Sequence, residues 1–270
     1  MNRPPTTAIV VSYNTGPRLR DCLYALKSDP EIDGIVVVDN GNQTGDAAWL
    51  ADSVGAWDKT EAVLVRDNIG FGQACNLGAE TAHGEFLIFV NPDAMIRRGS
   101  VSHLWHASLH YSQPCLVGGK IFGVDGKEQR GGRRRELTWS TATGLKRWTL
   151  EAERPPEGPV EVPVVSGAFF AMTREAFLSL GGFDPRYFLH VEDVDLCRTV
   201  RAEGGSVIYQ PLAGALHYGS TADAPSAIVA AHKADSLTTY FRKWARGPVD
   251  HALNAILLPV LAWQVKRSAR

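Results

Sequence analysis

Four short runs in the first ninety residues are apolar throughout instead of alternating between apolar and polar. They are Thr7-Ala8-Ile9-Val10-Val11-Ser12, Ile35-Val36-Val37-Val38, Ala62-Val63-Leu64-Val65 and Phe86-Leu87-Ile88-Phe89-Val90. An alternating strand has one wet face, whereas a continuous one has none, so such runs belong to a sheet covered on both sides. Segments with helical spacing separate them. Pro17 to Ser28 repeats Leu19, Cys22, Leu23 and Leu26, and Asp46 to Val54 and Gly70 to Thr81 also read as helices. This alternation predicts an α/β, doubly wound domain with a mostly parallel central sheet flanked by helices. Such sheets bind ligands beyond the carboxyl ends of their strands. Here those ends carry Ser12-Tyr13-Asn14, Asp39-Asn40, Asp67-Asn68 and Asn91-Pro92-Asp93, all polar.

The rest of the chain is less regular. Leu104 to Ser112 predicts a helix and Leu116 to Phe122 a strand closed by the turn Val124-Asp125-Gly126-Lys127. Glu128 to Pro163 is rich in Arg, Gly and Pro and predicts a long loop with one short helix. Val164 to Met172 reads as a single strand, Glu192 to Ala202 as a helix stopped by Gly204-Gly205, and Val207-Ile208-Tyr209 as a short strand. Two helices close the chain, over Ser226 to Trp244 and Val249 to Lys266. The final one offers Leu257, Leu258, Leu261 and Val265, then Lys266, Arg267 and Arg270, which suits either an interfacial membrane contact or packing onto the domain.

Composition narrows the classes. With 44% apolar and 21% charged residues in 270, the chain can bury a core and is not disordered. A net charge of −1 supplies no basic field for nucleic acid. Cys22, Cys75, Cys115 and Cys197 show no C-x-x-C spacing, so a zinc site or disulfide framework is not expected and a reducing, cytoplasmic setting is. Met1 to Thr7 lead into the first strand without a signal-peptide pattern. The apolar run Ala252 to Val265 falls short of the ~20 residues a spanning helix needs.

The chemistry concentrates in two acidic spots. Glu192, Asp193 and Asp195 crowd four positions at a helix start, beyond what the helix dipole asks for. On a helix Glu192 and Asp195 share a face and Asp193 points elsewhere, which leaves Asp193 free to act as a general base. About a hundred residues earlier, Asp93 at a strand end could hold Mg²⁺ or Mn²⁺ against a diphosphate, with His217 as a further ligand. Asp39 could accept the imide N–H of uracil or thymine; a plain turn before Asn40-Gly41 explains it equally. Asn68-Ile69-Gly70-Phe71 opens a helix whose N-terminus would suit phosphate, although the glycines do not form G-x-G-x-x-G. Arg130, Arg133, Arg134 and Arg135 offer a basic cluster for substrate phosphates, or a solvated loop.

Together these pieces resemble the family 2 glycosyltransferases of GT-A fold. The resemblance rests on Val11-Ser12-Tyr13-Asn14, Val38-Asp39-Asn40, Asn68-Ile69-Gly70-Phe71 with Asn76, and Asn91-Pro92-Asp93. It continues through Ser166-Gly167-Ala168-Phe169-Phe170, Gly182-Phe183-Asp184, Glu192-Asp193-Val194-Asp195-Leu196 and His217, in order over residues 7 to 220. The rhamnosyltransferase branch is the most similar. The resemblance implies a GT-A domain over residues 1–220, with a nucleotide-binding half (1–93) and an acceptor-binding half (94–220), followed by a helical extension (221–270).

It also implies inverting transfer from a nucleotide-diphospho-sugar, L-rhamnose from dTDP-rhamnose first and a UDP-sugar as the alternative. The acceptor would be a hydroxyl of a glycan or polyprenyl-diphosphate-linked saccharide in cell-envelope polysaccharide synthesis, met in the cytoplasm or at the inner membrane face. Ser12, Tyr13, Asn14, Asp39, Asn68, Asn76 and Asn91 would hold the nucleotide. Asp93 and His217 would hold a divalent metal, Asp193 would act as base, and Glu192 would assist it. Asn91 replaces the first acid of the family's D-x-D pattern, which leaves strict metal dependence open. A sugar-1-phosphate nucleotidyltransferase would need a Gly- and Arg-containing loop after the first strand, which Ser12-Tyr13-Asn14-Thr15-Gly16 does not supply; an inactive nucleotide-binding scaffold would not need Asp93 and Glu192-Asp193 intact.

Overall fold

A computed structural model describes residues 3–54, 56–219 and 226–267, apart from the side chains of Thr44 and Ser53. Four parallel strands form the first half of the sheet: β1 (Thr6–Ser12), β2 (Gly34–Asn40), β3 (Thr60–Val65) and β4 (Phe86–Val90), in spatial order β3-β2-β1-β4. They are linked by α1 (Arg18–Lys27), α2 (Thr44–Trp49) with a wider-wound turn over Leu50–Val54, and α3 (Phe71–Thr81). Alternate residues of one strand enter opposite cores. Ile9, Val11, Leu87 and Phe89 face one cluster, and Ala8, Val10, Phe86 and Ile88 the other. Both faces are therefore covered at β1, β2 and β4, as their continuous apolar runs require, whereas β3 lies at the sheet edge and leaves Leu64 64% exposed.

The second half is mixed. It comprises β5 (Ala94–Ile96), α4 (Ser100–Ser108), β6 (Cys115–Phe122), β7 (Arg133–Arg134), α5 (Trp139–Ala142), β8 (Val160–Glu161), β9 (Val164–Val165) and β10 (Phe169–Thr173). Then follow α6 (Arg174–Ser179), α7 (Glu192–Ala202), β11 (Ser206–His217), α8 (Ser226–Lys243) and α9 (Pro248–Arg267). β10 runs antiparallel between β4 and β6, β11 lies parallel to β6, and β5 and β8 pair antiparallel with β11. The expected division at residue 93 therefore falls within one continuous sheet.

Three expectations change here. The short strand at Val207 is twelve residues long; a register shift between Gln210 and Gly214 accommodates Pro211, and pairing resumes as far as Leu216. The strand expected over Val164–Met172 is two, broken at Ser166-Gly167, and the first half leaves the main sheet to pair with β7. α4 begins at Ser100 and not Leu104. The long loop does hold one short helix, α5, closed by a capping box between Thr138 and Thr141.

The two halves are fastened together. The Asn76 amide exchanges two 2.8 Å hydrogen bonds with the backbone of Phe183, and Phe71 N–H donates to the Phe188 carbonyl at 3.1 Å. Phe89 of β4 stacks on Phe170 of β10 at 4.5 Å, with Phe177 and Phe183 around them. Gly70, at φ 88°, allows the approach, since a Cβ there would lie 2.6 Å from the Phe188 carbonyl oxygen. α9 packs back on α8, with Leu258 and Leu261 buried and the Asn254 amide donating to the Phe241 carbonyl at 2.8 Å. Of the residues expected to meet a membrane, Leu258, Leu261 and Val265 thus face the domain, and Arg270 lies outside the described residues.

Candidate active site

The carboxyl ends of β1 and β2 are organised by a residue that sequence reasoning did not nominate. Asn42 accepts hydrogen bonds at Oδ1 from Ser12 Oγ (3.1 Å) and the Asn14 N–H (2.6 Å). Its own amide donates to the Ser12 carbonyl and to Asp39 Oδ1, which also accepts the Asn42 N–H at 2.8 Å. The available signal was the Asp39-Asn40-Gly41-Asn42 turn, whose Asp can bond its own backbone downstream. Ser12, Asn14 and Asp39 are thereby held together beside half-buried Tyr13, with Asn14 in the left-handed region at φ 48°.

Asn40 and Asn68 tie the next loop: Asn40 Nδ2 donates to Asn68 Oδ1 (2.9 Å), which also accepts the Gly70 N–H (2.9 Å). The carbonyl oxygen of Asn68 is thus spent on the loop itself. Asn76 does not join this group. Both atoms of its amide serve Phe183, so its place is in the joint between halves and not among nucleotide ligands.

A second cluster sits at the end of β4. His217 Nδ1 contacts Gln129 Oε1 at 2.7 Å, which assigns the Nδ1–H tautomer from the hydrogen-bond network and leaves an Nε2 lone pair. Nε2 lies 3.1 Å from Asn91 Nδ2 and 3.3 Å from Asp93 Oδ1, both near buried surroundings. In that tautomer Nε2 accepts the Asn91 Nδ2–H, and Asp93 Oδ1 stands beside the same nitrogen. An imidazole nitrogen and a carboxylate oxygen side by side are a donor set that fits a divalent cation, with Gln129 orienting the imidazole from behind. Asp93 Oδ2 accepts the Gly219 N–H at 2.8 Å, which anchors the carboxylate. Among the described residues no three His, Cys, Asp or Glu side chains gather, so the remaining ligands of such an ion would be diphosphate oxygens and water.

The third cluster opens α7. Val191, the residue before the helix, has φ 70°, and His190 has φ 66°. A β-branched residue in this region costs of order 1–3 kcal/mol, and buried packing of Val191 holds it there. Asp193 Oδ2 accepts from Arg134 Nη2 at 2.5 Å and from the Gly167 N–H at 2.9 Å. The same Gly167-Ala168 unit reaches the end of β4 beside Asp93 and His217, because the Ala168 carbonyl accepts the Asn91 N–H at 2.9 Å. One dipeptide thus bridges the end of β4 and the start of α7. A Cβ at residue 167 would stand 3.1 Å from Asp193 Cβ, close enough to displace that side chain by a few tenths of an ångström.

The other acids of the cluster separate. Glu192 is buried, and its Oε2 makes no hydrogen bond. Burial, then the charge of Asp193, pushes its carboxyl up to about 8. It points into the protein near Gly72 of α3, so it does not assist at the acceptor as expected. Asp195 is a fastener. It accepts from the Tyr187 hydroxyl (3.1 Å), Trp244 Nε1 (2.8 Å) and Lys243 Nζ (2.6 Å), tying α7 to the end of α8. Two of the arginines are spent inside the protein, Arg133 on Glu128 and Arg134 on Asp193, while Arg135 pairs with Glu153 at the surface. Phosphate binding by Arg133 and Arg134 is therefore not supported, and Arg134 takes on a different place, beside the candidate base.

Polar strand ends, an electron-rich Asp93–His217 pair and a held carboxylate at a helix start can bind a nucleoside diphosphate and take a proton from a nearby hydroxyl. The model of the family described as "Glycosyl transferase family 2" matches residues 7–181. N-acetylglucosaminyl-diphospho-decaprenol L-rhamnosyltransferase of Mycobacterium tuberculosis is 28% identical, aligned over 92% of this chain and 89% of its own. Rhamnosyltransferase WbbL of Escherichia coli is 22% identical over 68% of this chain and 82% of its own. Among solved structures, GalNAc-T7 with UDP, GalNAc and Mn²⁺ superposes with a TM-score of 0.66 at 18% identity, over 88% of this chain and 48% of that one. A mannosyltransferase of Pyrobaculum calidifontis with GDP-Man and Mn²⁺ gives 0.63 at 18% identity, over 100% and 74%. The fold is that of the GT-A glycosyltransferases, and the chain belongs to glycosyl transferase family 2.

Proposed function

We propose that the protein is an inverting rhamnosyltransferase, moving L-rhamnose from dTDP-rhamnose to a hydroxyl of a polyprenyl-diphosphate-linked saccharide in cell-envelope polysaccharide synthesis. The observation that carries the chemistry is the Gly167-Ala168 bridge. It holds Asn91, beside the Asp93–His217 pair, on one side and Asp193 on the other. Inverting transfer needs this pairing, with the leaving diphosphate and the proton acceptor at opposite ends of one sugar. The choice of sugar and acceptor rests on the names of the two bacterial relatives.

In this reading Ser12, Tyr13, Asn14 and Asp39 hold the nucleoside, Asn68 faces the donor, and Asn91 lies against its diphosphate. Asp93 and His217 would hold a divalent ion, which when bound would neutralise the charge of the departing diphosphate. The acceptor oxygen attacks the anomeric carbon from the face opposite the diphosphate. The bond from that carbon to the phosphate oxygen breaks, and the hydroxyl proton passes to the Asp193 carboxylate. Gly167 N–H and Arg134 keep that carboxylate aimed. A lipid-linked acceptor puts the work at a membrane surface, and no described helix is long and apolar enough to cross one. We therefore place the enzyme as a peripheral protein on the cytoplasmic side.

Calorimetric titration with dTDP, UDP and GDP, each with and without Mn²⁺, tests the donor. Tightest binding of dTDP is expected. Because Asp39 would pair with the imide of thymine and uracil alike, stronger UDP binding would move the reading to a UDP-sugar, and no nucleotide binding would overturn it.

A further inference from the structure

Packing of α9 on α8 uses one side of the helix and leaves the other apolar as well. Val249, Leu253, Ile256, Val260 and Trp263 are all exposed, Ile256 at 68% and Trp263 at 57%. Their spacing of four, three, four and three residues lines them along a single stripe. From Ala252 to Val265 no Asp, Glu, Lys or Arg interrupts the helix on any side. A helix apolar all round, with one face in water, leaves a large apolar surface unaccounted for.

Charge tells what covers it. Arg242 and Arg246 are exposed just before α9, and Lys266 and Arg267 at its end. The Arg267 guanidinium lies 5.0 Å from the centroid of the Trp263 ring. The acid in the first turn, Asp250, is half-buried and accepts the Arg246 N–H at 2.7 Å. An apolar stripe with basic ends and a terminal tryptophan suits the boundary layer of an anionic bilayer. A second copy of the chain fits less well. Two such stripes pairing as a coiled coil would set their register with charges on the flanks, and the flanking positions here include Ala252, Leu257, Pro259 and Gln264.

The location is suited to the proposed chemistry. The short turn between α8 and α9, with Asn254 bonded to Phe241, makes the pair antiparallel, so the later part of α9 lies alongside the earlier part of α8. That part of α8 touches the loop leading into α7: His232 stacks on Phe188 at 4.3 Å, and Ser236 Oγ donates to the Leu189 carbonyl at 2.9 Å.

We infer that the exposed face of α9 docks on the surface of an anionic lipid bilayer, immersing Ile256, Val260 and Trp263 and bringing the site to lipid-linked acceptors. The inference deepens the function proposed above, yet its test needs neither donor nor acceptor. The full chain is floated with vesicles of phosphatidylcholine alone or mixed with phosphatidylglycerol. Binding to the mixed vesicles is expected, with a loss of about tenfold or more in the double variant Ile256→Asp, Val260→Asp. Retained nucleotide binding shows that the variant folds. Should it not fold, the fluorescence of the parent chain decides: a blue shift on mixed vesicles that disappears in Trp263→Phe supports docking, and no shift overturns it. Equal binding to both vesicles, unchanged binding of the double variant, or a dimer of the parent chain that the variant abolishes would each overturn the inference. Failed flotation with intact turnover of a water-soluble acceptor would leave the proposed reaction standing.

Discussion

The guanidinium of Arg134 lies 2.5 Å from the Asp193 carboxylate and also donates to the Val165 carbonyl at 2.8 Å, with the Trp148 ring beneath it. Both bonds leave from one nitrogen, Nη2, which a lysine ammonium, ending one atom short of it, does not reach. Arg134→Lys is therefore expected to lower kcat by roughly tenfold while leaving donor KM unchanged. Steady-state kinetics separates the two parameters. A rise in donor KM with kcat intact would instead assign Arg134 to the diphosphate, as its arginine-rich sequence first suggested.

Asp193→Asn keeps the shape and the hydrogen bond from Gly167 but takes up no proton. Transfer is expected to fall roughly 100- to 10,000-fold. Nucleotide affinity measured by calorimetry should stay nearly constant. Turnover close to that of the parent would remove Asp193 as the base.

Glu192 makes stability depend on pH. Its carboxyl is raised from 4.5 to about 8, chiefly by burial. Between these values the folded chain keeps a proton that the unfolded chain has released. Stability therefore falls as pH climbs through that window and levels off above it. Glu192→Gln preserves the neutral shape and should match the parent near pH 5 but melt higher at about pH 9. Thermal unfolding at the two pH values measures this; equal melting temperatures at the higher pH would show that the buried acid carries no penalty.

Gln129 holds Nδ1 of His217, the ring nitrogen that does not face Asp93. Gln129→Ala is expected to weaken Mn²⁺ binding in the presence of a nucleoside diphosphate by about 10-fold or more, and His217→Ala to weaken it further. Titration followed by electron paramagnetic resonance reads both. Unaltered affinity in His217→Ala would leave Asp93 as the sole protein ligand.

Asp195 is buried and bonds three partners across two helices. Asp195→Ala leaves the Tyr187 hydroxyl and the Trp244 N–H without their acceptor, while Lys243 keeps Asp184 at 2.9 Å, and should cost roughly 1–3 kcal/mol in denaturant unfolding. A change below about 1 kcal/mol would place the Asp195–Lys243 pair among surface ion pairs.

Much of this fold was legible because its first strands are buried on both faces, a condition that writes itself into sequence as unbroken apolar runs. The polar strand ends followed from the same layout. What escaped were features set by long-range pairing. β11 hides behind Pro211 and Gly214, since a register shift leaves no apolar run to read. Arg134 and Gln129 sit in a stretch of sequence with no periodicity, and only the folded chain shows which acid or imidazole each one meets. Glu192 and Asp193 are adjacent, and local spacing could not tell which would turn inward.

The bonds joining Asn76 to Phe183 and Phe71 to Phe188 bear on how such enzymes can be recombined. A chimera cut at residue 93 would mate two surfaces shaped for other partners, down to the absent side chain at Gly70. Exchange of sugar-donor preference between relatives would succeed only if α3 travelled together with residues 181–191 as one cassette, although ninety residues and more separate them along the chain.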